Sequence, residues 1–142
     1  MPQASAVRSP TIVRDYAAPP FACSCQIDSG GSAAWVQAAG ELDLATSPQF
    51  RQKLGEAQRA AHVVVLDLRE LCFIDSSGVH VILDAARDAR RNAGRLLIVR
   101  GPAQVDQVLT LTEVSKQVVI FDLAPTEPAP ALLRAVPPPV AA

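Results

Sequence analysis

The run His62-Val-Val-Val-Leu-Asp-Leu constrains this chain more than any other segment. Nearly continuous apolar character, without alternation, suits a central strand buried on both faces. The chain then passes through Arg69-Glu-Leu-Cys-Phe-Ile and Asp75-Ser-Ser-Gly into residues 77 to 93, where the apolar period becomes that of a helix. Val79, Ile82, Leu83, Ala86 and Ala93 make the predicted buried stripe. His80, Asp84, Arg87, Asp88 and Arg91 make the wet one. Gly94 stands where a helix end favours glycine, and Arg95-Leu-Leu-Ile-Val is a further strand. A strand, a helix and a strand in this order imply a right-handed crossover between parallel neighbours.

The same pattern extends in both directions. Phe21, Cys23, Cys25 and Ile27 alternate with smaller or polar residues, as in a strand with one buried face. Asp28-Ser-Gly-Gly-Ser is a turn, so a strand over about 34–39 forms a hairpin with the first. Gly40-Glu-Leu-Asp-Leu-Ala-Thr reads as a loop. Ser47 as N-cap and Pro48 at the first helical position open a helix carrying Phe50, Leu54 and Ala57 on one face. Capping also explains Thr46-Ser47-Pro48 better than a modification site does. Gly101-Pro102 opens a third helix with Val105, Val108 and Leu109 inside, and Val118-Val-Ile-Phe is the last strand. The predicted fold is α/β, a mixed but mostly parallel sheet of four to five strands in the order β-β-α-β-α-β-α-β.

Proline marks the limits of this unit. Ten of the twelve prolines lie before Phe21 or after Leu123, and only Pro48 and Pro102 lie between. Proline removes a backbone donor and fixes φ, which keeps it out of sheet interiors and helix middles. The expected organisation is a flexible segment 1–20, one folded domain 21–123, and a Pro/Ala-rich tail 124–142. Pro128 and Pro130 crowd any short helix near 131–135.

Several function classes are disfavoured. The net charge is -1 and no basic run occurs, so neither nucleic acid nor an anionic membrane is an expected partner. No apolar stretch reaches spanning length and Met1 to Pro20 lacks a leader-like apolar core, which predicts a soluble, cytoplasmic protein. Three cysteines, Cys23, Cys25 and Cys72, do not suggest a disulfide framework. Cys23-x-Cys25 is too close, and His62 and His80 too scattered, for a metal site. Cys72 is expected to be a buried small hydrophobe. Ser77 and His80 fall on one helix with His80 outward, and no nucleophile elbow or phosphate-binding loop is present. Neither an enzyme nor a cofactor is expected. The Arg87, Arg90, Arg91 cluster is balanced by Asp84 and Asp88 and reads as a solvated, salt-bridged face.

Read alone, Asp75-Ser76-Ser77-Gly78 is a good helix start and nothing more, since each residue favours caps or turns. Its setting adds to that. Phe73-Ile-Asp-Ser-Ser-Gly-Val after Asp67-Leu-Arg-Glu-Leu, together with Gly40-Glu-Leu-Asp43, resembles the signature of STAS domains of the anti-sigma factor antagonist family. The similarity spans roughly 21–123. It implies that Ser77, the serine before the glycine, is a phosphorylation site flanked by Asp75 and by Ser76, which is the expected helix cap. It also implies that Asp43, Asp75, Ser76, Ser77 and Gly78 meet a partner. By the same resemblance, that partner is an anti-sigma factor with serine kinase activity, opposed by a serine phosphatase. The unphosphorylated form would bind the anti-sigma factor and free a sigma factor. The other role known for such domains is that of a structural subunit in a signalling scaffold or lipid-transport complex; a phosphoacceptor has no use there. Two departures stand out: Glu113 occupies a position where the family favours glycine, and the Pro-rich tail is a poor match to the family's final helix.

Overall fold

The computed structural model describes residues 20–28, 30–124 and 126. Their elements are β1 (Ala22–Ile27), β2 (Ala33–Leu42), α1 (Ser47–Ala60), β3 (Val63–Ile74), α2 (Ser76–Arg91), β4 (Arg95–Val99), α3 (Ala103–Leu111), α4 (Val114–Gln117) and β5 (Val119–Phe121). The strands form one sheet in chain order, β1-β2-β3-β4-β5. Only the β1–β2 pair is antiparallel. This is the anticipated mixed, mostly parallel sheet. The third helix is broken at Thr112 and Glu113 into α3 and the short α4. Glu113 has φ -70° and ψ -11°, an ordinary right-handed conformation, so this turn makes no demand for glycine.

Two strands run further than their period suggests. Gly40, Glu41 and Leu42, expected in a loop, belong to β2, and β3 continues past Leu68 to Ile74. Two register shifts explain the difference. Gln37 pairs with Asp67 but Ala39 with Glu70; Gly40 pairs with Leu71 but Glu41 with Phe73. Each shift gives β3 one extra residue, as a bulge does. Leu68, Leu71 and Ile74 therefore all reach the core at a spacing of three, which no period-two pattern anticipates. The second bulge also leaves Cys72 exposed, correcting its expected burial. Cys23, by contrast, is half-buried, and desolvation pushes its thiol up to about 11.

All the described helices pack on one face of the sheet. Phe50, Leu54 and Ala57 of α1, Val79, Val81, Ile82, Ala85, Ala86 and Ala89 of α2, and Val105, Leu109 and Val114 beyond them join one cluster with Val36, Val64, Leu66 and Ile98. Phe21, Cys23 and Cys25 pack against it, whereas Ile27 at the end of β1 is 49% exposed. The opposite face carries a second cluster of Ala33, Trp35, Val63, Val65, Leu97 and Val99. There Asp67, fully buried, accepts from Trp35 Nε1 at 3.2 Å and from Arg69 Nη2 at 2.8 Å.

The outer side of α2 is salt-bridged as anticipated: Arg87 to Asp84, Arg91 to Asp88, and Arg51 of α1 to Asp84 at 2.9 Å. The Arg51 hydrogen bond holds the Asp84 carboxyl below the usual carboxylate range. Helix ends differ from expectation by one residue. Thr46 rather than Ser47 precedes α1. At the end of α2 the left-handed residue is Ala93, φ 57°, and not Gly94. Ala93 is exposed and makes no part of the buried stripe. The Gly94 amide closes the helix by donating to Ala89 O at 2.7 Å, a Schellman arrangement. Gly94 is needed for another reason: a Cβ there would lie 2.6 Å from His62 O. Ala93→Gly removes the left-handed penalty of about 1 kcal/mol and is expected to raise the midpoint of thermal unfolding by a few degrees, measured by circular dichroism.

Candidate functional site at the start of α2

The site is built where two loops meet at the C-terminal ends of β2 and β3. Asp75 follows β3 with φ -113° and ψ -171°, an extended N-cap. Its Oδ1 accepts from the Ser77 amide at 2.8 Å and from the Gly78 amide at 3.4 Å. Capping thus falls to Asp75; Ser76, the neighbour expected to cap, is the first residue of the helix and is exposed. Ser77 is half-buried in the first turn. The cap leaves both serine hydroxyls free of structural work: among the described residues, none forms a hydrogen bond with either.

The segment around Gly40-Glu-Leu-Asp43 supports this helix start directly. The Asp75 amide donates to Leu42 O at 3.1 Å. Leu42 is fully buried and lies under Gly78, where an added Cβ would come within 2.7 Å of Leu42 Cγ and 2.9 Å of Ile74 Cγ1. Glycine is therefore dictated by close packing, not by backbone angle. Gly78→Ala is expected to cost roughly 1–3 kcal/mol through this overpacking, read by urea denaturation.

Asp43, half-buried, organises the adjoining loop. Its Oδ1 accepts from the Ala45 amide at 3.0 Å and the Thr46 amide at 3.1 Å. The Thr46 hydroxyl in turn accepts from the Asp43 amide at 2.9 Å and donates to Glu41 O at 2.9 Å. Asp43 is thus a turn residue first. The loop it shapes stands beside the helix start through the Leu42–Asp75 bond. All five sequence-selected residues, Asp43, Asp75, Ser76, Ser77 and Gly78, fall in this one region.

Two apolar side chains that sequence reading did not assign to the site flank it in the chain. Phe73 is 47% exposed and Leu44 is 76% exposed. Phe73 pairs with Glu41 on the side of β3 away from Ile74. No period in the sequence marks Phe73 as exposed, because the bulge that turns it out arises from pairing with β2. His80 points to solvent, as anticipated. Among the described residues no group of three or more His, Cys, Asp or Glu could hold a metal, and no helix is long and apolar enough to cross a membrane.

Comparison with known proteins agrees with this geometry. The chain is 33% identical over 89 residues to an anti-sigma F factor antagonist of Paenibacillus polymyxa, covering 61% of this chain and 76% of that protein. Its fold is similar to the anti-sigma factor antagonist SpoIIAA in its unphosphorylated form, with TM-score 0.66, 24% identity, and coverage of 81% of this chain and 98% of that one. An anti-sigma factor antagonist from Mycobacterium paratuberculosis gives TM-score 0.67 at 21% identity, covering 82% and 94%. The family model of the STAS domain matches residues 26–128, and the chain belongs to the STAS domain family.

Proposed function

We propose that this protein is an anti-sigma factor antagonist, switched by phosphorylation of Ser77. The observation that carries the reading is the placement of Ser77. It lies in the first turn of α2, with its amide held by Asp75 and its side chain half-exposed. A hydroxyl there enters a protein interface at little cost. The 33% identity to a curated anti-sigma F factor antagonist supports the partner class.

In the unphosphorylated state the surface of Asp43, Asp75, Ser76, Ser77 and Gly78, with Phe73 and Leu44 beside it, binds an anti-sigma factor and displaces its sigma factor. The anti-sigma factor is itself the serine kinase that later modifies Ser77, and a serine phosphatase resets the switch. Phosphate adds about -1.5 to -2 charges at neutral pH. The positive end of the α2 dipole tolerates that charge in the free domain, while the Asp75 carboxylate opposes it. A partner surface shaped for a neutral hydroxyl leaves the dianion desolvated and unpaired, which is strongly unfavourable. Because Asp75 caps the helix and Gly78 is wedged on Leu42, the switch works by charge on a rigid platform and requires no refolding.

Incubation with a cognate kinase and ATP, followed by peptide mass spectrometry, tests the acceptor. One phosphate on Ser77 is expected, with none on Ser76 or Thr46. Label on a Ser77→Ala variant would remove Ser77 from this role.

A further inference from the structure

The outer side of α2 carries one ionisable group that neither the fold nor the proposed switch uses. His80 is exposed and, among the described residues, enters no hydrogen bond and no ion pair. It stands three residues after Ser77, one turn along the same helix. Side chains so spaced are neighbours, with about 5–6 Å between their Cβ atoms. Helical side chains also lean back toward the N-terminus, over the preceding turn. The surface within reach of His80 is therefore that of Ser77 and Ser76.

Within residues 40–50 and 70–86, the two stretches that build the site, no other side chain can carry positive charge. The charged groups around His80 are acidic or already engaged. Asp75 Oδ1 holds the Ser77 and Gly78 amides, and Asp43 Oδ1 holds those of Ala45 and Thr46. Asp84, one turn further along α2, is paired with Arg51 of α1 and with Arg87. Of the cations that depress its carboxyl, His80 contributes least. β3 and β4 meet α2 through apolar side chains. α4 meets it at the far end, where Arg90 donates to Gln117 Oε1 at 2.9 Å. The imidazole is thus the one uncommitted cation beside the helix start.

We infer that His80 is the counter-charge of phosphorylated Ser77, drawing its phosphoryl group along the outer side of α2. The inference rests on Ser77 being the acceptor. A phosphoserine has its second ionisation near pH 6, and histidine is the side chain that ordinarily changes charge between pH 5 and 8. One turn apart, imidazolium and dianion each favour the charged form of the other. The imidazole therefore titrates at higher pH and the phosphate at lower pH than either would alone. As pH rises through the imidazole titration the attraction is lost. The phosphate then faces Asp75 with only the helix dipole in its favour.

Nuclear magnetic resonance of the full chain, with phosphoserine genetically encoded at position 77, tests this without a kinase. The phosphorus signal reports the phosphate, and the imidazole carbon-bound protons report the only two histidines, His62 and His80. On phosphorylation the His80 midpoint should rise by about half a pH unit or more, the scale for a dianion one helical turn away. His62, just before β3 and at the other end of that strand from Ser77, should not move. In His80→Gln the phosphate midpoint should rise by a similar amount. An unmoved His80 midpoint overturns the inference, as does a phosphate midpoint equal in wild type and His80→Gln. An equal shift of His62 also overturns it, since that would mark a diffuse field and not a pair. Whether a kinase chooses Ser77 is decided separately, by mass spectrometry of the kinase-treated chain.

Discussion

Phosphorylated Ser77 protein will fail to capture the anti-sigma factor that the unmodified protein captures, with affinity lower by about a thousandfold. That factor corresponds to about 4 kcal/mol, the scale of burying a charge without a partner. Ser77→Ala should bind within a few-fold of wild type, since the hydroxyl carries no structural hydrogen bond and the cap belongs to Asp75. Ser77→Asp, with one charge in place of two, should fall between and lose at least about tenfold, or about 1.4 kcal/mol. Isothermal titration calorimetry of the three forms against one anti-sigma factor ranks them. Equal affinity for the alanine, aspartate and phosphorylated forms would sink the switch. All three should show the same unfolding midpoint within a few degrees, because the helix start keeps its cap.

Arg69→Met should be the most damaging single substitution for stability, at about 3–5 kcal/mol. The physical reason is the isolation of Asp67. Its side chain has no exposure, that of Arg69 has 13%, and the two meet at 2.8 Å. Removing the guanidinium leaves a carboxylate inside the sheet with no counter-charge, held only by two neutral donors, the Trp35 indole and the amide of residue 69. Pairing Arg69→Met with Asp67→Asn should recover most of the loss, because a neutral amide can still accept from Trp35 Nε1 and needs no counter-charge. Urea denaturation of the single and double variants measures the difference. A single variant as stable as wild type would mean that Asp67 finds another counter-charge.

Much of the fold was legible because apolar periods here track the elements closely. The run from His62 to Leu68 is a central strand, and the change of period after Asp75 marks α2. What escaped was set by non-local pairing. The bulges after Gln37 and Gly40 exist because β3 accommodates extra residues against β2, and no window on either strand alone contains that information. They moved Gly40-Glu-Leu42 from loop to strand and turned Phe73 and Cys72 outward. The site was legible as a set of residues but not as a division of labour. Asp, Ser and Ser are all good N-caps, so the sequence could not say that Asp75 caps and Ser76 stays exposed. Gly94 invited a left-handed reading that Ala93 in fact fulfils, since the glycine was required by the carbonyl of His62.

The chain-order sheet has a bearing on how the molecule comes to be folded. Each described strand after β1 pairs with its immediate predecessor in the chain, so assembly can proceed by closing one crossover at a time. Among the described strands none must wait for a later segment to arrive before it finds an edge. Each parallel crossover still carries its loop-closure entropy before the pairing rewards it, and pairing with the preceding strand keeps each such loop short. The pairing of β3 with β4 through α2 is the natural early unit, because both strands are apolar and α2 is long and strongly amphipathic. A ribosome releasing this chain would expose each new strand to an edge already formed, which shortens the time that the apolar β3 stands unpaired.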